Sequence, residues 1–219
     1  MKTLRRDISE GGREPRRAKP AVAAMIGLAI FVLAGCGGGT KQPAATNCPT
    51  TGRQVSFPLL DGSKTTTVGV LTNFGRFDIR LDVKDSPCTT SSFAALVRKG
   101  FFDGTRFHRI VPGFVIQGGD PTGTGKGGPG YTVQDVPPAD ATYTKGVVAM
   151  AKTGAEPSGT SGSQFFVVTA ADAGLPPQYA LLGTVSKGLR VVDRIGKLGN
   201  PATERPTRKV VIQRMIVTP

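Results

Sequence analysis

The chain has 219 residues, 38% of them apolar and 20% charged, a composition that supports one sizeable core and argues against wholesale disorder. A formal charge of +13 invites a nucleic-acid reading, but the absence of tryptophan and an aromatic content of 6% leave little from which to build a base-stacking platform. One histidine and three cysteines, none in a Cys-x-x-Cys spacing, fit neither a zinc site nor dithiol redox chemistry.

In chain order, residues 1–20 carry seven Lys/Arg against three acids and lead into the apolar run "AVAAMIGLAIFVLAG". That run spans 15 residues, short of the roughly 20 that a membrane-crossing helix needs, so it reads as the apolar part of a signal peptide. It ends in "LAGC", which resembles a bacterial lipobox, where the thiol of Cys36 accepts a diacylglycerol after cleavage. The sequence therefore predicts a lipoprotein-type signal over residues 1–35 and an extracytoplasmic protein held on a bacterial cell membrane by its lipid, with an uncleaved single-pass N-terminal anchor as the alternative. The small, polar, Pro-rich stretch that follows predicts a flexible tether over residues 36–64, and the folded domain is expected from residue 65 to 219. The basic excess outlasts removal of the signal and reads as a solvated face. In an oxidising compartment Cys48 and Cys88 pair or stay as two thiols; the sequence leaves both open.

From Thr65 the stretch "TTTVGVLTNFGRFDIRLD" alternates as two short strands around Asn73, Phe74 and Gly75, with Phe77, Ile79 and Leu81 on one face. "SPCTTSSFAALVRKG" predicts a helix that starts near Ser86 and ends at Gly100. Further strands are expected at residues 106–110, 115–118, 147–150, 165–169 and 181–185, then a helix after Gly188 and a long strand in "RKVVIQRMIVTP". Many short strands with two helices predict a β-dominated, antiparallel barrel or sandwich with helices at its ends; period and turns alone do not choose between them.

The motifs exclude most enzyme classes. No Gly-x-Ser-x-Gly elbow accompanies the single histidine, and two glutamates beyond the signal region give poor support to a glycosidase pair. "GTGKGG" satisfies Gly-x-Gly-x-x-Gly, yet Pro129 follows and no helix begins there to supply a dipole, so it is read as a mobile loop. No metal and no cofactor are expected. What remains is "FHRIVPGFVIQGGD" (107–120), where a Pro-Gly turn brings Arg109 and Phe114 together. A permanently charged fork of donors, an apolar wall and a neutral glutamine are poorly suited to abstracting protons or attacking carbonyls; they can hold a peptide and present a donor to an amide. An ordinary surface arginine beside a core phenylalanine is equally compatible with this stretch taken alone.

That stretch, with "FFDGTRFHRI" before it, "GVVAMAK" (146–152) and "SGSQFFVVT" (161–169) after it and "LLGTVSKGLRVVDRI" (181–195), resembles the cyclophilin family of peptidyl-prolyl isomerases from about Val68 to Val217. The resemblance implies a closed eight-stranded antiparallel β-barrel capped by two α-helices. It implies Arg109 as the arginine acting on the prolyl amide, with Phe114, Val115, Ala151, Phe166 and Leu175 as pocket positions, Gln117 and Gln164 beside the substrate backbone, and His108 flanking the site. Gly174 and Tyr179 stand where the best-known eukaryotic members carry tryptophan and histidine, so cyclosporin binding is expected to be weak. The expected function is rotation of Xaa-Pro bonds by a monomer assisting the folding of secreted or envelope proteins. The alternatives are a proline-peptide binding module or holding chaperone with little catalysis, and a surface lipoprotein that keeps only the fold.

Overall fold

A computed structural model of the chain describes residues 48–219; the expected signal segment, Cys36 and the first part of the expected tether lie outside the described residues. The elements in order are β1 (Thr51–Gly52), β2 (Thr67–Thr72), β3 (Gly75–Leu81), α1 (Pro87–Arg98), β4 (Arg109–Val111), β5 (Val115–Gly118), β6 (Tyr131–Gln134), β7 (Val147–Met150), β8 (Thr160–Ser161), β9 (Phe165–Val168), β10 (Leu181–Lys187), α2 (Leu189–Gly196) and β11 (Ile212–Thr218). Eight strands form one antiparallel sheet in the order β11-β2-β3-β10-β7-β9-β5-β4, and β1, β6 and β8 form a second, three-stranded one.

Alternation along the strands sorts the large sheet into two faces. Phe77, Ile79, Ile110, Ile116, Val148, Phe165, Val167 and Leu182 all point inward into one core, which α1 covers with Phe93, Leu96 and Val97 and α2 with Val192 and Ile195. Their neighbours in sequence, Val115, Ala149, Phe166 and Val168, point the other way and join Tyr143 in a separate apolar cluster. Each strand thus serves the core with one set of side chains and an outer surface with the other.

The resemblance implies a closed barrel; the eight strands form one strongly curled antiparallel sheet. Its edge strands β4 and β11 share no ladder. The segment before β4 meets the start of β11 instead: Phe107 N–H donates to Val210 O (3.1 Å), Ile212 N–H to Thr105 O (2.9 Å) and Gly104 N–H to Ile212 O (2.8 Å). This is why the strand expected at residues 106–110 begins only at Arg109.

Residues 48–64 correct the expected boundary at residue 65. Cys48 is disulfide-bonded to Cys88 at the start of α1, with the two Cα atoms 5.5 Å apart. β1 pairs with β6, Arg53 donates to Pro129 O (2.9 Å), and Leu60 N–H donates to Ser91 Oγ (2.9 Å). Phe57 is buried and lies 6.4 Å, ring to ring, from Tyr131. Apolar burial and a covalent bond hold this stretch against the side of α1 that faces away from the main core, where Ala95 and Tyr131 complete a small second core.

Helix α1 begins at Pro87, whose missing N–H suits a first turn, but the Ser86 side chain makes no capping bond. The free N–H of Thr89 is satisfied from a distance by the Asp135 carboxylate (2.6 Å), a cap that no local pattern announces. Among the described residues no helix is long and apolar enough to cross a membrane.

Candidate active site

Cross-strand register places the site. Arg109 sits opposite Gln117 across β4 and β5, Gln117 opposite Phe166 across β5 and β9, and Phe166 opposite Ala149 across β9 and β7. Residues paired in one row share a face, so these four line up on the outer surface of the sheet, and Val115 with Val168 forms the next row. Phe114 falls in the Pro112-Gly113 turn before β5 begins, so alternation does not govern its direction. Val115 and Gln117 keep strict alternation, and no register shift interrupts β5 against β4 or β9.

The polar side chains form a continuous chain of hydrogen bonds. Arg109 donates from Nε to Glu204 Oε2 (2.7 Å) and from Nη1 to Gln117 Oε1 (3.3 Å). Gln117 donates from Nε2 to Gln164 Oε1 (3.1 Å), and Gln164 donates from Nε2 to the carbonyls of Gly125 (3.0 Å) and Gly127 (2.9 Å). The Arg109 side chain is about one-third exposed, at 35%, and so is fixed by its neighbours while open to a ligand.

Beside this chain lies a pocket of about 200 Å³ lined by Arg109, Phe114, Val115, Gln117, Ala151, Lys152, Phe166, Leu175 and Tyr179. Its walls are apolar or aromatic except at the arginine, glutamine and lysine. Phe166 packs edge-on to Tyr179 with ring centroids 5.5 Å apart. Tyr143, fully buried, positions Tyr179 by donating its hydroxyl to Tyr179 O (2.7 Å) and accepting from Tyr179 N–H (3.0 Å). Lys152 donates to the carbonyls of Thr153 and Glu156 and sits 5.7 Å from the Tyr179 ring. Gln164 lies outside this pocket and lines the adjoining groove of about 660 Å³, which Gly125, Gly127, Thr51 and Gly52 also border.

The "GTGKGG" loop, expected to be mobile, is tied down by a buried carboxylate. Asp120 accepts from the backbone N–H and the hydroxyl of Thr122 and from the N–H of Gly125. Burial alone pushes its pKa up, but these bonds and one from the Gly127 N–H outweigh that and hold it at about 2. Gly127 tolerates no bulk: a Cβ there would fall 2.0 Å from Asp120 Oδ1. Next to it Gly119, at φ +84°, passes so close to Ser163 O that a Cβ there would sit 2.3 Å away.

His108 lies apart from the pocket and from the hydrogen-bonded chain. It lines a separate basic pocket of about 570 Å³ with Arg106, Arg205 and Lys209, on the Gly123 and Thr124 side of the loop. Burial lowers its pKa, and the Asp120 carboxylate opposes that shift. Gly174 is exposed with φ +61° and immediately precedes Leu175 of the pocket lining. Glu204, Asp120, Tyr143 and Lys152 were not singled out from the sequence. The Asp-x-Thr spacing at residues 120–122 was a readable turn signal; nothing local marked Glu204 or Tyr143.

Comparison with known proteins agrees with this geometry. Residues 67–217 match the family described as Cyclophilin type peptidyl-prolyl cis-trans isomerase/CLD. Peptidyl-prolyl cis-trans isomerase CYP18-2 of Arabidopsis thaliana is 38% identical over 147 residues, covering 65% of this chain and 88% of the relative. The Probable peptidyl-prolyl cis-trans isomerase B of Mycobacterium tuberculosis is 36% identical over 196 residues, covering 78% of this chain and 59% of that one. A solved cyclophilin type peptidyl-prolyl cis-trans isomerase of Cryptosporidium parvum superposes with a TM-score of 0.64 at 29% identity, covering 71% of this chain and 99% of that one. A second structure of it, in the presence of the dipeptide Ala-Pro, gives 0.63 at 28% identity, covering 70% and 99%.

Proposed function

Since the chain belongs to the cyclophilin-type peptidyl-prolyl cis-trans isomerases and is an enzyme of that type, we propose that Arg109 is its catalytic donor and that the 200 Å³ pocket beside it holds the proline ring. The observation that carries this reading is the guanidinium itself, fastened by Glu204 and Gln117 at the rim of an aromatic pocket.

An Xaa-Pro bond crosses a barrier of roughly 20 kcal/mol through a twisted amide, and uncatalysed rotation takes tens to hundreds of seconds. No covalent bond needs to break. In the twisted state conjugation is lost and the prolyl nitrogen regains its lone pair, so a donor fixed in space binds that state better than either planar form. Phe114, Val115, Phe166 and Leu175 hold the ring while the preceding carbonyl swings, and Gln117 and Gln164 offer hydrogen bonds to the substrate backbone. Ala151 and Tyr179 complete the pocket lining. The presence of Ala-Pro with the Cryptosporidium relative supports a proline peptide as ligand.

The same proposal extends to place and purpose. "LAGC" after a basic, short apolar segment supports a lipid-anchored, extracytoplasmic enzyme, the Cys48–Cys88 disulfide suits an oxidising compartment, and in this reading the enzyme acts as a monomer on secreted or envelope proteins. Cyclosporin binds weakly in this reading, because Gly174 supplies neither ring nor donor at the pocket rim. Two-dimensional exchange NMR of an Ala-Pro peptide with the full chain tests the site. Accelerated exchange that a bound proline analogue abolishes is expected, whereas binding without acceleration would favour the binding module. Mass spectrometry of the membrane-extracted protein tests the anchor: a diacylated Cys36 at the N-terminus is expected, and an intact Met1 or Lys2 would overturn it.

A further inference from the structure

Among the described residues one residue other than glycine has a positive φ: Glu204, at 55°. For an L side chain with a Cβ this left-handed conformation is strained, and it is favoured by glycine or asparagine. The loop around it does not need a glutamate. The Glu204 N–H donates to Asn200 O (2.7 Å) and its carbonyl accepts from Ile110 N–H (2.8 Å), so both loop bonds at position 204 use only its backbone, and the Asn200 side chain closes the turn with Oδ1 accepting from the N–H groups of Ala202 and Thr203. The carboxylate is used elsewhere. It accepts from Arg109 Nε at 2.7 Å, across 95 residues of sequence, and the bond from Ile110 holds the loop against β4 beside the arginine.

Arginine has five N–H donors arranged in a rigid plane. Glu204 takes the Nε edge and Gln117 takes one donor of Nη1, which leaves the second N–H of Nη1 and both of Nη2. A long, partly exposed side chain would otherwise lose rotamer freedom at the moment of catalysis. From the strained backbone, the carboxylate and the unused edge, we infer that Glu204 is a positioning residue that fixes which edge of the Arg109 guanidinium faces the prolyl amide. The inference rests on the reading of Arg109 as donor. Strain held next to the reacting group, and not required by the loop, is what this assignment explains.

The assignment makes activity and stability move apart. In the purified full chain Glu204→Gly should lower kcat/KM by about 10-fold, mainly through kcat, the size of effect expected when a donor is left to wander. Its melting temperature should hold or rise, since glycine adopts the left-handed backbone freely. Glu204→Gln, which keeps an acceptor of the same reach, should fall between wild type and glycine. The Arg109 Nε–H resonance, slowed in solvent exchange by its bond to the carboxylate, should exchange faster in Glu204→Gly. Combined with Arg109→Ala, the glycine change should cost nothing more. Glu204→Gly turning over at or above the wild-type rate, with Arg109→Ala inactive, would overturn the inference and leave the reading of the site intact. A loss of activity that follows a lowered melting temperature would also overturn it, as a structural role. Full activity in Arg109→Ala would overturn the reading itself.

Discussion

Asp120→Asn tests how the loop that supports the glutamines is held. The carboxylate is buried and accepts from Thr122 and Gly125, with Oδ1 taking both Thr122 bonds and Oδ2 the bond from Gly125. Its pKa falls from an ordinary 3.8 to about 2 on folding, and at about 1.4 kcal/mol per unit this is worth about 2 kcal/mol at neutral pH. Because the folded value is the lower one, that stability is fully present above pH 3.8 and is lost as pH falls towards 2. Asparagine keeps one oxygen and turns a pair of donors toward a Gly125 N–H that needs an acceptor, so the variant should be less stable by about 2 to 3 kcal/mol at pH 7. Urea denaturation of both proteins at pH 7 and near pH 2 measures this, and groups common to both cancel in the difference. The gap should shrink below about 1 kcal/mol at the acid end. KM for an Xaa-Pro peptide should rise in the variant at pH 7, because Gln164 loses the fixed carbonyls of Gly125 and Gly127. A gap that stays constant from pH 7 to 2, or no gap at all, would refute the account of this loop.

The disulfide closes a separation of 40 residues, which a chain-entropy estimate values at about 4 kcal/mol or less. Cys88→Ser should therefore lower the urea midpoint clearly, and an unchanged midpoint would contradict the role given to the N-terminal arm. Cyclosporin should inhibit the unaltered enzyme weakly in a titration of isomerase activity; tight inhibition would contradict the weight placed on position 174. Gly174→Trp should not repair this cleanly, since φ +61° strains any residue with a Cβ, and it should melt lower than wild type.

Long, strongly patterned segments were legible. β2 and β3 alternate over six and seven residues with a clear turn between them, and both lie where the period put them. β1, β6 and β8 span two to four residues, too short for alternation to rise above loop composition, and their sheet is held by contacts with α1 and the arm. The proposed site residues follow from the resemblance, because Arg109, Phe114, Gln117 and Phe166 lie in unbroken family motifs. Their convergence follows from register across three strands, which no local pattern specifies. Glu204 and Tyr143 were invisible for the same reason: each acts on a partner 95 or 36 residues away. The arm reads as tether because its composition is polar, while Phe57, the Cys48–Cys88 bridge and the hydrogen bonds of β1, Arg53 and Leu60 all join it to distant residues.

If a fixed guanidinium stabilises the twisted amide, kcat/KM of Arg109→Ala in a protease-coupled Xaa-Pro assay registers its loss. A hydrogen bond from a charged donor is worth about 1.5 to 3 kcal/mol, so a fall of roughly 10- to 100-fold or more is expected. Arg109→Lys should lie between, since an ammonium keeps the charge and loses the planar fork. The fold should survive, because the side chain lies at a partly open pocket and its ion pair with Glu204 is half exposed, which circular dichroism and thermal melting would establish first. A folded Arg109→Ala enzyme that isomerises proline bonds at the wild-type rate would contradict the account.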